Sequence, residues 1–285
     1  MLNAATEHIR FIRNSALTGL FLLATACGGD ADKEKASSLL EQAQRAFEAK
    51  NYTETLALTD SIKNAYPKQI DIRREALHLS TRATEGLTLQ RLQETDSLTA
   101  VLSVEGDSLQ RLMKFVSNPI EGYYIAASAD PSKFFGTNGL QARVSPDGDF
   151  TLMSSLKAKS VKSTAIEVSA GGEKAVTATV AHDGERNDRS MGAEVITFIG
   201  AECDSVGRFI STHVNEPITL TFIGSGSYSM PLPASQAKEI ALAYDYSSLT
   251  RRFKVAVLEK ERLSRAVDIA RSQAARTFVE KDSVK

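Results

Sequence analysis

The chain has no tryptophan, only two cysteines and no run of apolar residues long enough to cross a bilayer as a helix. Each absence excludes something. Aromatic residues make up 7% of the 285 positions, which leaves few of the flat platforms used to stack on sugars or bases. The net charge is −1, so no basic footprint marks a nucleic-acid partner. The longest apolar run near the N-terminus, SALTGLFLLATA, covers about a dozen residues where a spanning helix needs roughly 20.

What is there begins with that same stretch. Arg10 and Arg13 precede it, and the small residues Ala24, Thr25 and Ala26 close it before Cys27. A positive start, a short apolar middle and a small-residue end describe a secretory leader. With the cysteine directly after, LLATAC resembles the lipobox of bacterial lipoproteins, although Ala24 stands where leucine is usual. The resemblance implies cleavage before Cys27 and acylation of its thiol and new amine. Several acyl chains together hold a protein at a membrane where one holds it only marginally. Gly28 in place of an aspartate implies the outer membrane, and Asp30, Asp32 and Glu34 are similar to surface-export signals of Bacteroides-type lipoproteins. The expectations are a signal peptide over 1–26 and a flexible lipidated tether over 27–36.

Beyond the tether, Leu39, Leu40, Ala43, Ala46 and Phe47 recur at helical spacing, break at Lys50-Asn51, and resume through Leu56, Leu58 and Ile62 to Pro67. Residues 37–67 thus read as an αα-hairpin. Ala43, Tyr52 and Pro67 make it similar to one tetratricopeptide unit, with Thr55 where alanine is usual. No second unit follows at that period, so a neighbouring helix must cover the hairpin's open face. Residues 68–118 supply a long helix. Leu87, Leu98 and Leu109 return every eleven residues, a period that predicts a nearly straight seam. Gly106 and the Asp-Ser pairs mark a place where this helix could break.

From Pro119 the apolar pattern alternates. Residues 139–156 read as two strands around Pro146-Asp147-Gly148-Asp149, 164–180 as two around Gly171-Gly172, and 217–232 as two around Gly224-Ser225-Gly226. Residues 193–200 read as a further strand and 201–214 as a short helix. Residues 119–232 therefore form a small antiparallel β domain, a barrel or a sandwich, with one short helix. Helical period returns over 233–285, where Tyr244–Ser248 could divide it. Two long helices with one apolar stripe each bury those stripes most simply against each other. The expected fold class is α+β: an N-terminal hairpin, a long antiparallel stalk, and a β domain inserted at its far end.

No motif commits the chain to chemistry. Cys203 and His213 could be imagined as a nucleophile and base, but ten residues of helix separate them by about 15 Å. The most polar loop holds His182, Asp183, Glu185, Arg186, Asp188 and Arg189. It is the first candidate for a partner or ligand, and its spacing matches no calcium loop. No catalytic residue, metal site or cofactor is assigned. The leading expectation is a non-catalytic outer-membrane lipoprotein, held by acylated Cys27, that contacts another envelope protein. The overall pattern resembles Bacteroides-type lipoproteins of uncharacterised family. Two alternatives are a lipid- or glycan-binding β domain and an envelope hydrolase.

Overall fold

A computed structural model describes residues 29–118, 121–189 and 192–277. The leader and Cys27 lie outside them. The fold is α+β, with six helices and ten strands among the described residues, and it divides into two compact units.

The first unit runs to Ala83 and includes Thr277. Helices α1 (Gly29–Glu48) and α2 (Tyr52–Ala65) form the expected hairpin, and the first turns of α3 (Ile70–Gln110) complete it. Asn51 caps α2 by accepting the Glu54 N–H at 3.3 Å. Lys50 takes a positive φ of 59° in the turn. Leu40, Ala43 and Ile62 share one core with Ala76 and Leu79, so α3 is the covering wall that the lone hairpin required. Thr55 is fully buried because its hydroxyl donates back to the Asn51 carbonyl at 2.9 Å. The stretch expected as a flexible tether is helical where it is described. Residues 29–36 are the opening of α1, where Asp30 and Asp32 suit the positive end of the helix dipole and Ala36 is already buried.

The second unit spans Thr84–Arg276. Its helical part pairs the rest of α3 with α6 (Ala234–Arg276) in antiparallel fashion. Lys260 pairs with Asp96 and Arg271 with Glu85, eleven residues apart on both helices. Neither helix breaks at Gly106 or at Tyr244–Ser248. Gly106 serves the pairing, since a β-carbon there would come within 3.1 Å of Leu249.

The seam takes up Leu109 but otherwise departs from the eleven-residue leucines. Between residues 90 and 110 the shielded positions are Leu92, Thr95, Thr99, Leu102, Gly106 and Leu109, while Leu98 is 45% exposed. Steps alternating three and four make a heptad pattern, the one that keeps a seam facing a partner helix. On α6 the matching buried residues are Ala256, Leu263, Val267, Ala270 and Ala274. The periodicity of leucine alone was a poor guide because threonine and glycine fill half of this seam.

The β part is two antiparallel sheets. One contains β1 (Met113–Val116), β2 (Tyr123–Ala126), β3 (Gly139–Val144), β4 (Phe150–Leu156), β7 (Asn187–Asp188) and β8 (Glu194–Ile199), in the order β1-β2-β3-β4-β8-β7. The other contains β5 (Ala165–Ala170), β6 (Glu173–Val176), β9 (Thr219–Ile223) and β10 (Ser227–Pro231), in the order β10-β9-β5-β6. Both have free edges, so the arrangement is sandwich-like and not a closed barrel. The three expected hairpins form at their expected turns. The helix before them ends earlier than expected. MKFV, with Phe and Val suited to a pleated surface, leaves α3 to pair with β2 as strand β1.

Two short helices accompany the sheets, α4 (Pro131–Phe134) and α5 (Asp204–Thr212), with one 3₁₀ turn at Gly200–Glu202. Phe150, Leu152, Ile196 and Phe198 from the larger sheet meet Ile166, Val168, Leu220 and Phe222 from the smaller one. Val206 and Ile210 of α5 and Ile240 and Tyr244 of α6 join the same core. All but Tyr244 are fully buried, so large side chains occupy the space between the sheets.

Candidate functional site

The polar loop that the sequence singles out is spent on its own structure. Asp183 accepts the backbone N–H groups of Glu185, Arg186 and Asn187 at 2.9 Å each. Those bonds, led by the one from Asn187, hold its carboxyl below the usual carboxylate range. His182 Nδ1 lies 2.6 Å from the Asn187 carbonyl oxygen and so carries the proton of that bond. Arg186 pairs with Glu202 and donates to the Thr197 carbonyl at 3.3 Å. Arg189 reaches the Ser163 carbonyl at 3.5 Å. Asp188 belongs to β7, opposite Val195. Glu185 is exposed on the loop.

The centre of this loop is a residue that composition did not flag. Asn187 is fully buried, and its side-chain amide donates to the carbonyls of Ser163 and Val180 at 2.9 and 2.8 Å. Glu194, next in importance, is 4% exposed at the start of β8. Its two oxygens receive four donors: the hydroxyl of Ser160, the backbone N–H of Lys162, and both the N–H and hydroxyl of Ser163. Asn187 and Glu194 together clasp the 160–163 crossover between the sheets. A carboxylate inside an otherwise apolar strand was the one signal of this in the sequence.

Cys203 and His213 sit at opposite ends of α5 and do not meet. The Cys203 thiol is buried against the Phe198 carbonyl at 3.4 Å, and burial pushes its pKa up to about 12. A thiol held protonated is a poor nucleophile. His213 instead stacks on Phe209 at 4.1 Å, with Nε2 3.7 Å from Glu173. Tyr123, Tyr124 and Phe134 serve packing as well: Tyr124 lies edge-on to Tyr246 at 5.6 Å, Arg143 covers the Tyr123 ring at 4.3 Å, and Phe134 is buried. Among the described residues no group of three or more His, Cys, Asp or Glu side chains is placed to hold a metal ion.

A concave surface does exist in the first unit. A groove of about 790 Å³ runs between α2 and the start of α3. Leu56, Ile70 and Leu77 give it apolar walls, and Ile70 and Leu77 are 65% and 54% exposed. Lys63, Arg73 and Arg74 border it. Arg73 donates one N–H to the Pro67 carbonyl at 3.0 Å, while its buried Nε has no acceptor. Asp60, the lone carboxylate of the lining, is engaged by the Asn64 amide at 3.2 Å.

No helix among the described residues is long and apolar enough to cross a membrane. Compared with protein-family models, curated proteins and solved structures, the chain matches none of them.

Proposed function

We propose that this chain is a lipid-anchored envelope protein without a catalytic role, which binds another envelope protein through the α2–α3 groove. The observation that carries the reading is the groove's composition. Large apolar side chains exposed beside three cations, none of them ion-paired among the described residues, form a surface that water alone serves poorly. The complementary partner is an amphipathic segment with acidic residues flanking its apolar ones. The lipobox-like leader supports the address, since acylated Cys27 would hold the chain to the outer-membrane lipid.

The test separates anchor from groove. Cys27→Ala should move the protein from the membrane fraction to the soluble fraction and abolish labelling by a fatty acid. Retention of both would overturn the anchor. A photo-crosslinking residue at Leu77 should trap one protein that is lost when Arg74→Glu is added, whereas the same probe at Glu185 should not. Equal trapping from both places, or none, would overturn the groove.

A further inference from the structure

The helical pair of the second unit has one face that its own fold leaves uncovered. Val101 directly precedes the seam residue Leu102, Leu98 precedes Thr99, Val255 precedes Ala256 and Ile269 precedes Ala270. Each therefore lies about 100° to the same side of its seam. In an antiparallel pair, equal offsets from the seam fall on one common face. That face carries Leu98, Val101, Val255 and Ile269 at 45%, 54%, 67% and 60% exposure, with half-buried Leu87 beside them. The charged residues at the same offset are Arg91, Glu94 and Glu105 on α3 and Arg252, Glu259 and Arg262 on α6, where Arg262 and Glu259 also pair with each other at 2.6 Å.

We infer that this face binds a second copy of the chain, related by a two-fold axis parallel to the helices. The levels set by the Asp96–Lys260 and Glu85–Arg271 ion pairs match Val101 with Val255, Leu87 with Ile269 and Glu94 with Arg262, and put Arg252 one residue from the level of Glu105, within reach of two long side chains. A two-fold along the helices lays α3 of one copy over α6 of the other at these same levels. Apolar then meets apolar at Val101–Val255 and Leu87–Ile269, and acid meets base at Glu94–Arg262 and, one residue out of level, at Glu105–Arg252. A two-fold across the helices would instead lay α3 on α3 and set Glu94 against Glu94, which like-charge repulsion disfavours.

Among the described residues Glu105 and Arg252 have no ion-pair partner, so both charges are available. Between residues 84 and 105 the face is about 32 Å long and about 20 Å wide, given 1.5 Å per residue and two helix diameters. Joining two such faces buries roughly 1,300 Å², at the low end of specific interfaces. The dimer is therefore a reversible one.

Sedimentation of the full chain in detergent, from low to high micromolar concentration, reads the association directly. A monomer–dimer equilibrium is expected. Val255→Glu should raise the dimer Kd by about tenfold or more while leaving the melting temperature of dilute protein unchanged. Glu105→Arg and Arg252→Glu should each weaken the dimer, and the two together should restore it, because the swapped charges again meet opposites. A monomer at all concentrations overturns the inference. So does a dimer indifferent to Val255→Glu, or single charge variants that the double variant fails to rescue.

Discussion

Ser163 meets Glu194 twice on the same carboxylate oxygen, with its backbone N–H at 2.7 Å and its hydroxyl at 2.6 Å. Burial pushes this carboxyl up, but the hydrogen bonds from Ser160, Ser163 and Lys162 outweigh it and leave the group below its ordinary value. A carboxyl depressed in the folded state stabilises the fold above its unfolded pKa. That contribution fades as pH falls through the acid range towards the depressed folded value. Glu194→Gln replaces an acceptor with an amide that aims N–H groups at existing donors, so a loss of about 2–3 kcal/mol at neutral pH is expected. Chemical denaturation from neutral to acidic pH should show the variant and the parent converging in acid. Curves that stay parallel would refute this account.

Gly224 lies in the β9–β10 turn, where an added β-carbon would fall on the carbonyl oxygens of Val161 and Lys162. Those oxygens are backbone and cannot swing aside. The neighbouring Ser225 N–H also holds the Val161 carbonyl at 2.8 Å, so the turn is pinned to the crossover that Glu194 clasps. Gly224→Ala should cost about 3 kcal/mol or more, whereas Gly226→Ala, which meets nothing, should change stability by under about 0.5 kcal/mol. Urea midpoints of the two variants make the comparison.

The seam offers a contrast between two leucines on the same helix. Leu102 is 1% exposed and Leu98 is 45% exposed. Leu102→Ala should lower stability by about 2–4 kcal/mol through the cavity it leaves, and Leu98→Ala by under about 1 kcal/mol in dilute solution. Equal losses would favour the eleven-residue seam over the heptad one.

Cys203 should resist a thiol reagent at neutral pH until the chain opens. Its reaction rate should climb through the same urea range as the loss of tertiary signal. Fast labelling of native protein would contradict the buried, protonated thiol.

Local signals were the legible ones. Gly148, Gly171 and Gly172 take positive φ values of 87°, 58° and 86° in the turns where their sequence neighbourhoods announce a hairpin. Val206 and Ile210 fall on the buried face of α5 because a single helix carries its own period. Relationships between distant segments were hidden. Thr88, Thr95 and Thr99 look like surface residues until α6 lies beside them. Glu194 looks like a misfit in a strand until its donors arrive from more than 30 residues upstream. The 182–189 loop reads as a functional rim because its charges are visible, while the backbone groups and carbonyls that absorb them are not. The α2–α3 groove escaped notice for a related reason, since Ile70 and Leu77 follow a helical period and pass for core.

The two halves of the seam are synthesised far apart, with 164 residues between Asp96 and Lys260 and 186 between Arg271 and Glu85. Bringing such ends together from a random coil carries an entropy penalty that grows with the logarithm of the enclosed length. A folded sandwich shortens the effective loop to the few residues that leave it, so the zipper closes cheaply only once the insert has set. Refolding should then show two phases, with burial of Phe150 and its neighbours preceding formation of the Lys260–Asp96 bridge, and a lesion in the sheets should slow the rods without touching them.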